Sequence, residues 1–89
     1  MQRRSHRHQH NPIDRLSNSI GKSILIKIKK NRLFAARRLL SFDQHLNLYV
    51  EECTQIFEVE NEDGEYVQEK EELGDILVRG DNIVFIEFG

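Results

Sequence analysis

Isoleucines at 24, 26 and 28 alternate with Leu25, Lys27 and Lys29, the period of two that buries one face of a β-strand. Upstream the spacing is helical. Ile13, Leu16 and Ile20 recur three and four residues apart and make one apolar stripe. Asn11 is a strong N-cap, Pro12 suits the first helical position, and Asp14 lies near the positive end of the helix dipole. Gly21 supplies a stop, so the spacing predicts a helix over about residues 12–20. After the isoleucine strand, Asn31 turns the chain into a second strand, Arg32–Phe42. A third, from about Leu46 to Glu60, would run ~50 Å at ~3.3 Å per residue. That exceeds the width of so small a domain, so it must bend sharply. Asp63-Gly64 predicts a type I′ hairpin turn, followed by a fourth strand, Tyr66–Val78, with Gly74 available for a kink or bulge. Arg79-Gly80-Asp81 makes a tight connection into a mostly apolar last strand, Asn82–Phe88. A helix and five strongly bent strands predict an all-β fold, a small antiparallel barrel. Neither repeats nor linkers interrupt residues 11–89, which read as one domain.

Residues 1–10 (MQRRSHRHQH) hold one hydrophobic side chain and are expected to be a disordered, basic, His-rich arm. Its three histidines have no fixed geometry around them, so no metal site is expected there. A chain of 89 residues builds a modest core, and oligomerisation is one remedy for that. Cys53 stands alone, which excludes an internal disulfide and a cysteine zinc cluster and makes a reduced compartment the expectation. No apolar run approaches the ~18–20 residues of a membrane span, and the first residues lack the apolar core of a signal peptide. A cytoplasmic protein without a membrane partner is expected. The net charge of −2 hides a steep gradient. Residues 1–50 carry eleven Lys/Arg against Asp14 and Asp43, a balance of +9, whereas residues 51–89 carry Lys70 and Arg79 against thirteen carboxylates, a balance of −11. Basic stretches attract polyanions and acidic ones avoid them, although halves of opposite charge can also neutralise each other within a fold or between subunits.

Catalysis is poorly served. Asp43 and His45 could make a base with its orienting carboxylate, but Ser41 is the nearest nucleophile and no glycine-rich elbow surrounds it. Phosphate loops, dinucleotide fingerprints and metal-binding histidine pairs are missing, so neither enzyme chemistry nor a cofactor is expected. Binding uses the same residues more economically. In extended chain Asp43, His45 and Asn47 project together. Asn offers a donor and an acceptor to the edge of a base, and imidazole can stack on its face. Arg79 can stack as a guanidinium plane or touch phosphate, and Gly80 permits a close approach. Each Asx residue alone could merely stabilise a turn.

Together the two segments resemble the Sm/Sm-like family. The first motif is Phe42-Asp43-Gln44-His45-Leu46-Asn47-Leu48, with Leu39 at the expected apolar place upstream. The second is Ile76-Leu77-Val78-Arg79-Gly80-Asp81-Asn82-Ile83, preceded by Leu73-Gly74, and the likeness runs from Asn11 to Phe88. The resemblance implies a five-stranded bent barrel under an N-terminal helix. It also implies subunits joined fourth strand to fifth strand in a ring, here a homoheptamer. Its two motif loops would hold a single-stranded U-rich RNA at the pore, one base per subunit. His45 and Arg79 would then sandwich the base, Asn47 and Asp81 would bond its edge, and Asp43 would orient Asn47 from behind. Arg79-Gly80, where the bacterial branch has Lys-His, implies the archaeal or eukaryotic branch. There are departures. Arg37 stands where the family usually has glycine, and Phe34 lies one residue further from Asp43 than the usual aromatic. A β-bulge in the second strand would absorb an extra residue there, leaving Arg37 and Arg38 to face either solvent, the commoner place for arginine, or RNA. Two other readings remain open: a ring that gathers RNA-processing protein partners through the acidic hairpin Glu58–Glu72, and a monomeric barrel binding single strands in a groove.

Overall fold

The computed structural model describes residues 12–89; the expected arm over residues 1–10 and the Asn11 cap lie outside the described residues. Helix α1 spans Pro12–Ser19, with Asp14 in its first turn and Gly21 beyond it at φ +87°. It touches the core more narrowly than its apolar stripe predicts. Leu16 is fully buried and Ser19 nearly so, while Ile13 and Ile20 are half exposed. An eight-residue helix lying across a sheet presents only its i, i+3 pair inward, and Ile20 has already left it to bridge Leu39. The linking chain is pinned to the sheet by Gly21 N–H to Leu39 O (2.8 Å) and Leu39 N–H to Lys22 O (2.9 Å).

Five strands follow: β1 Ile24–Ile28, β2 Arg32–Phe42, β3 Leu48–Glu60, β4 Tyr66–Val78 and β5 Ile83–Phe88. All pairs are antiparallel and the order across the sheet is β4-β3-β2-β1-β5. The alternation in β1 works as read, with Ile24, Ile26 and Ile28 buried against Leu16, Ala36, Leu39, Leu48, Val50, Cys53 and Val78. Burial pushes the Cys53 thiol up to about 11. Among the described residues nothing pairs β4 with β5, so both are free edges. Exposed apolar side chains sit on both, Tyr66, Val67 and Leu77 on one and Val84 and Phe85 on the other.

The sharp bend predicted for the third strand is built on three strands at one level. Across the β3–β4 pair the register slips by one residue around Cys53↔Gly74 and is restored at Thr54↔Glu72. Glu52 there has φ +51° and Gly74 φ +77°. The Glu52 N–H reaches out to Asp75 Oδ1 at 3.0 Å, and Arg37 Nε lies 3.8 Å from Glu52 Oε2. The left-handed residues at this bend are therefore Glu52 on β3 and Gly74 on β4, and Arg37 on β2 is not one of them. A bulge does occur in β2, at Leu40, where pairing jumps from Leu39↔Val50 to Ser41↔Tyr49. Arg37 and Arg38 face solvent; Arg38 meets Glu51 at 2.7 Å.

Two boundaries and one turn differ from expectation. β3 begins at Leu48 because Leu46 has φ +62°, and β5 begins at Ile83 because Gly80–Asn82 form a single 3-10 turn. The β3–β4 hairpin is not a two-residue type I′ turn. The Asn61 side chain accepts from Asp63 N–H (2.9 Å) and Glu65 N–H (3.0 Å), closing a three-residue loop in which only Gly64 has positive φ. No helix among the described residues is long and apolar enough to cross a membrane.

Gly74 has open space around its missing Cβ, so its left-handed φ alone resists substitution. Gly74→Ala is expected to lower unfolding free energy by about 1–2 kcal/mol, the cost of an L side chain in that region, read from chemical denaturation.

Candidate nucleic-acid interface

The β2–β3 connection, residues 43–47, is a tight loop organised by one carboxylate. Asp43 Oδ1 accepts the backbone N–H of His45 (2.9 Å) and of Asn47 (3.0 Å), and Oδ2 accepts the Asn47 side-chain Nδ2–H (3.0 Å). Backbone bonds from Leu46 N–H to Asp43 O and from Asp43 N–H to Asn47 O close the same turn. The bond from Asn47, with help from the two amides, holds the Asp43 carboxyl below the usual aspartate value. Asp43 meets His45 through backbone and not through the imidazole, so the pair does not form an Asp–His dyad.

The second loop docks onto the first through Asn47. Gly80 N–H donates to Asn47 Oδ1 at 2.8 Å, across 33 residues of sequence. Glycine is required there by space and not by φ. A Cβ on Gly80 would stand 2.8 Å from Leu46 O and closer still to His45 O, both backbone atoms that cannot move aside. These contacts fix the Asn47 amide both ways round. A carboxylate can only accept and a backbone N–H can only donate, so Nδ2 faces Asp43 and Oδ1 faces Gly80. One N–H and one acceptor lone pair of Asn47 remain for another partner.

His45, Asn47, Leu77, Arg79 and Asp81 line one open cleft. Four of these are site residues expected from sequence; Asp43 stands behind Asn47, and Gly80 forms the join between the loops. Leu77 is the addition, and no sequence signal marks it, because an apolar residue in a strand is ordinary. It lies in the cleft because β4 ends beside the start of β3, in the pair Tyr49↔Leu77. Arg79 Nη2 donates to Asp81 Oδ2 at 3.2 Å, with both side chains about two-thirds exposed. An exposed pair of this kind contributes little and is readily exchanged for another partner.

Residues 14–88 match the LSM domain family model. The chain belongs to the Sm-like family. It is 31% identical over 75 residues to an snRNP Sm-like protein of Methanococcoides burtonii, covering 84% of this chain and 92% of that one. Its fold resembles that of the Pyrococcus abyssii Sm protein solved in complex with a uridine heptamer, with 33% identity, a TM-score of 0.70, and coverage of 89% of this chain and 99% of that chain. A heptameric archaeal Sm protein is similarly close, with 35% identity, a TM-score of 0.63, and coverage of 83% and 94%. This Sm-like chain thus has the bent five-stranded sheet and N-terminal helix of its archaeal relatives, with both motifs inside the matched region.

Two outcomes test the geometry of the site. Gly80→Ala should force the loops apart and lower stability by about 1–3 kcal/mol, as overpacking does, seen as a reduced thermal midpoint. The Asp43 carboxylate, whose pKa is depressed on folding, contributes stability above the ordinary value of 3.8, and that contribution is lost as pH falls through its lower folded value. In an NMR titration the Asp43 side-chain carboxyl carbon should show its midpoint below the ordinary value of 3.8.

Proposed function

We propose that this protein is an RNA-binding subunit of a closed ring, holding single-stranded U-rich RNA at the pore with one base in each subunit's cleft. The observation that carries the reading is the fixed Asn47 amide, which offers one donor and one acceptor beside exposed His45 and Arg79. Uracil presents the complementary pair in its O4 carbonyl and N3–H. Cytosine has the reverse order at those positions, so a base entering with the same backbone polarity would set donor against donor. In this reading His45 and Arg79 sandwich the base, Asp81 takes part at its edge once its bond to Arg79 exchanges, and Asp43 and Gly80 hold Asn47 in place. The site is a binding site and does no chemistry.

The ring is supported by the two free edges. Unpaired strands carrying exposed apolar residues are a liability that edge-to-edge pairing removes. Two similar archaeal structures point the same way, one a heptamer and one bound to a uridine heptamer. A homoheptamer acting in the cytoplasm is the assembly proposed.

Fluorescence anisotropy with oligo(U) and oligo(A), together with native mass, tests this. Uridine should be preferred, and Asn47→Ala or Arg79→Ala should weaken oligo(U) binding by about 1–3 kcal/mol per site. The mass should correspond to seven copies of the 10.5 kDa chain. Equal weak binding to both oligomers, unchanged by either substitution, would overturn the assignment.

A further inference from the structure

The β1–β2 turn lies one hydrogen bond from the base cleft and is strongly basic. Lys27, Lys29, Lys30 and Arg32 fall within six residues that contain no carboxylate. Lys30 and Asn31 both take positive φ, +67° and +58°, so the chain reverses tightly and Lys29 and Lys30 stand exposed at the apex. Of the four cations Arg32 has a side-chain partner, its Nη1 donating to Gln55 Oε1 at 3.2 Å, while Lys27 is half-buried within β1 and lines a surface cleft with Glu58. Lys29 and Lys30 form no ion pair among the described residues. The turn is tied to the site by Lys29 N–H donating to Asn82 O at 3.1 Å, while Asn82 N–H donates to Arg79 O. The same 3-10 turn that carries Gly80 and Asp81 therefore abuts the lysine apex. Its carboxylate, Asp81, lies against Arg79 and forms no ion pair with the lysines. β1 and β2 are interior to the sheet, so pairing at the β4 and β5 edges leaves this apex open.

We infer that Lys29 and Lys30 form a phosphate-binding extension of the base cleft, guiding the RNA backbone as it leaves the pore. The inference rests on the RNA-binding reading above and adds a backbone track to its base site. Ammonium groups without a fixed fork suit phosphates, whose recognition carries no sequence preference and is steeply salt-dependent. The turn should therefore matter for strand length and salt, and not for base identity.

The test compares K29Q/K30Q with N47A, using a uridine heptamer and a longer oligo(U) over a range of salt. K29Q/K30Q should bind the heptamer as the wild type does and bind the longer strand about tenfold more weakly. Its salt slope on the longer strand should be shallower by ~0.7 for each phosphate that the lysines no longer neutralise. N47A should lose heptamer affinity while keeping the wild-type salt slope. K29R/K30R, which keeps both charges on the same backbone, should behave as the wild type. Wild-type affinity and slope for K29Q/K30Q on the longer strand would overturn the inference. If the wild type ignores the heptamer yet binds the longer strand through these lysines, the base-site reading falls and the phosphate track stands.

Discussion

A thirteen-residue strand cannot lie flat against a core only a few side chains wide, and β3 meets that constraint by turning out of register at Glu52. Leu48, Val50 and Cys53 all reach the core, which an unbent alternation could not achieve because 50 and 53 have opposite parity. The detour is shared: Gly74 takes positive φ on one side, Arg37 approaches on the other, and Asp75 receives the Glu52 N–H that the ladder no longer uses. On one side of the bend β3 and β4 belong to the core. On the other they run on as a two-stranded acidic ribbon past the last β2 pairing at Leu33↔Ile56.

The site is a product of that bend. With register restored, Val78 returns opposite Leu48, so the loop that follows β4 arrives beside the loop that precedes β3. The loops then close on each other through backbone, at Gly80 against His45 and Leu46, and through one amide, Asn47. Asp43 contributes no surface to the cleft. Its work is to consume three donors so that the Asn47 amide has a single orientation.

Much of this was legible in the sequence, because the period of two over Ile24–Ile28 and the Arg-Gly-Asp turn are local signals. The meeting of the two loops followed from the paired motifs. What was not legible depends on neighbours in space. Lys30, Leu46 and Glu52 adopt left-handed φ although no local preference marks them; strand pairing on either side imposes it. The hairpin turn departs from type I′ because the Asn61 side chain, two residues before Asp63, outweighs the Asp-Gly pair. The spacing of Ile13, Leu16 and Ile20 reports a helix but not that it ends at Ser19 with Ile20 bridged to Leu39, and two of the three remain half exposed. Leu77 is an ordinary strand residue until Tyr49 is found opposite it.

The two free edges of the sheet are not alike. β4 is long and acidic and β5 is short and apolar, so a copy offers one kind of surface on one side and another kind on the other. Association between such edges is heterologous, head to tail, and has no built-in stopping point. Whether it closes or runs on as a filament is decided by the angle between the two edges of a single copy. That angle is set by the curl of the sheet, and the curl by Glu52, Gly74 and the Leu40 bulge. A few backbone torsions inside one chain would therefore count the subunits of the whole assembly.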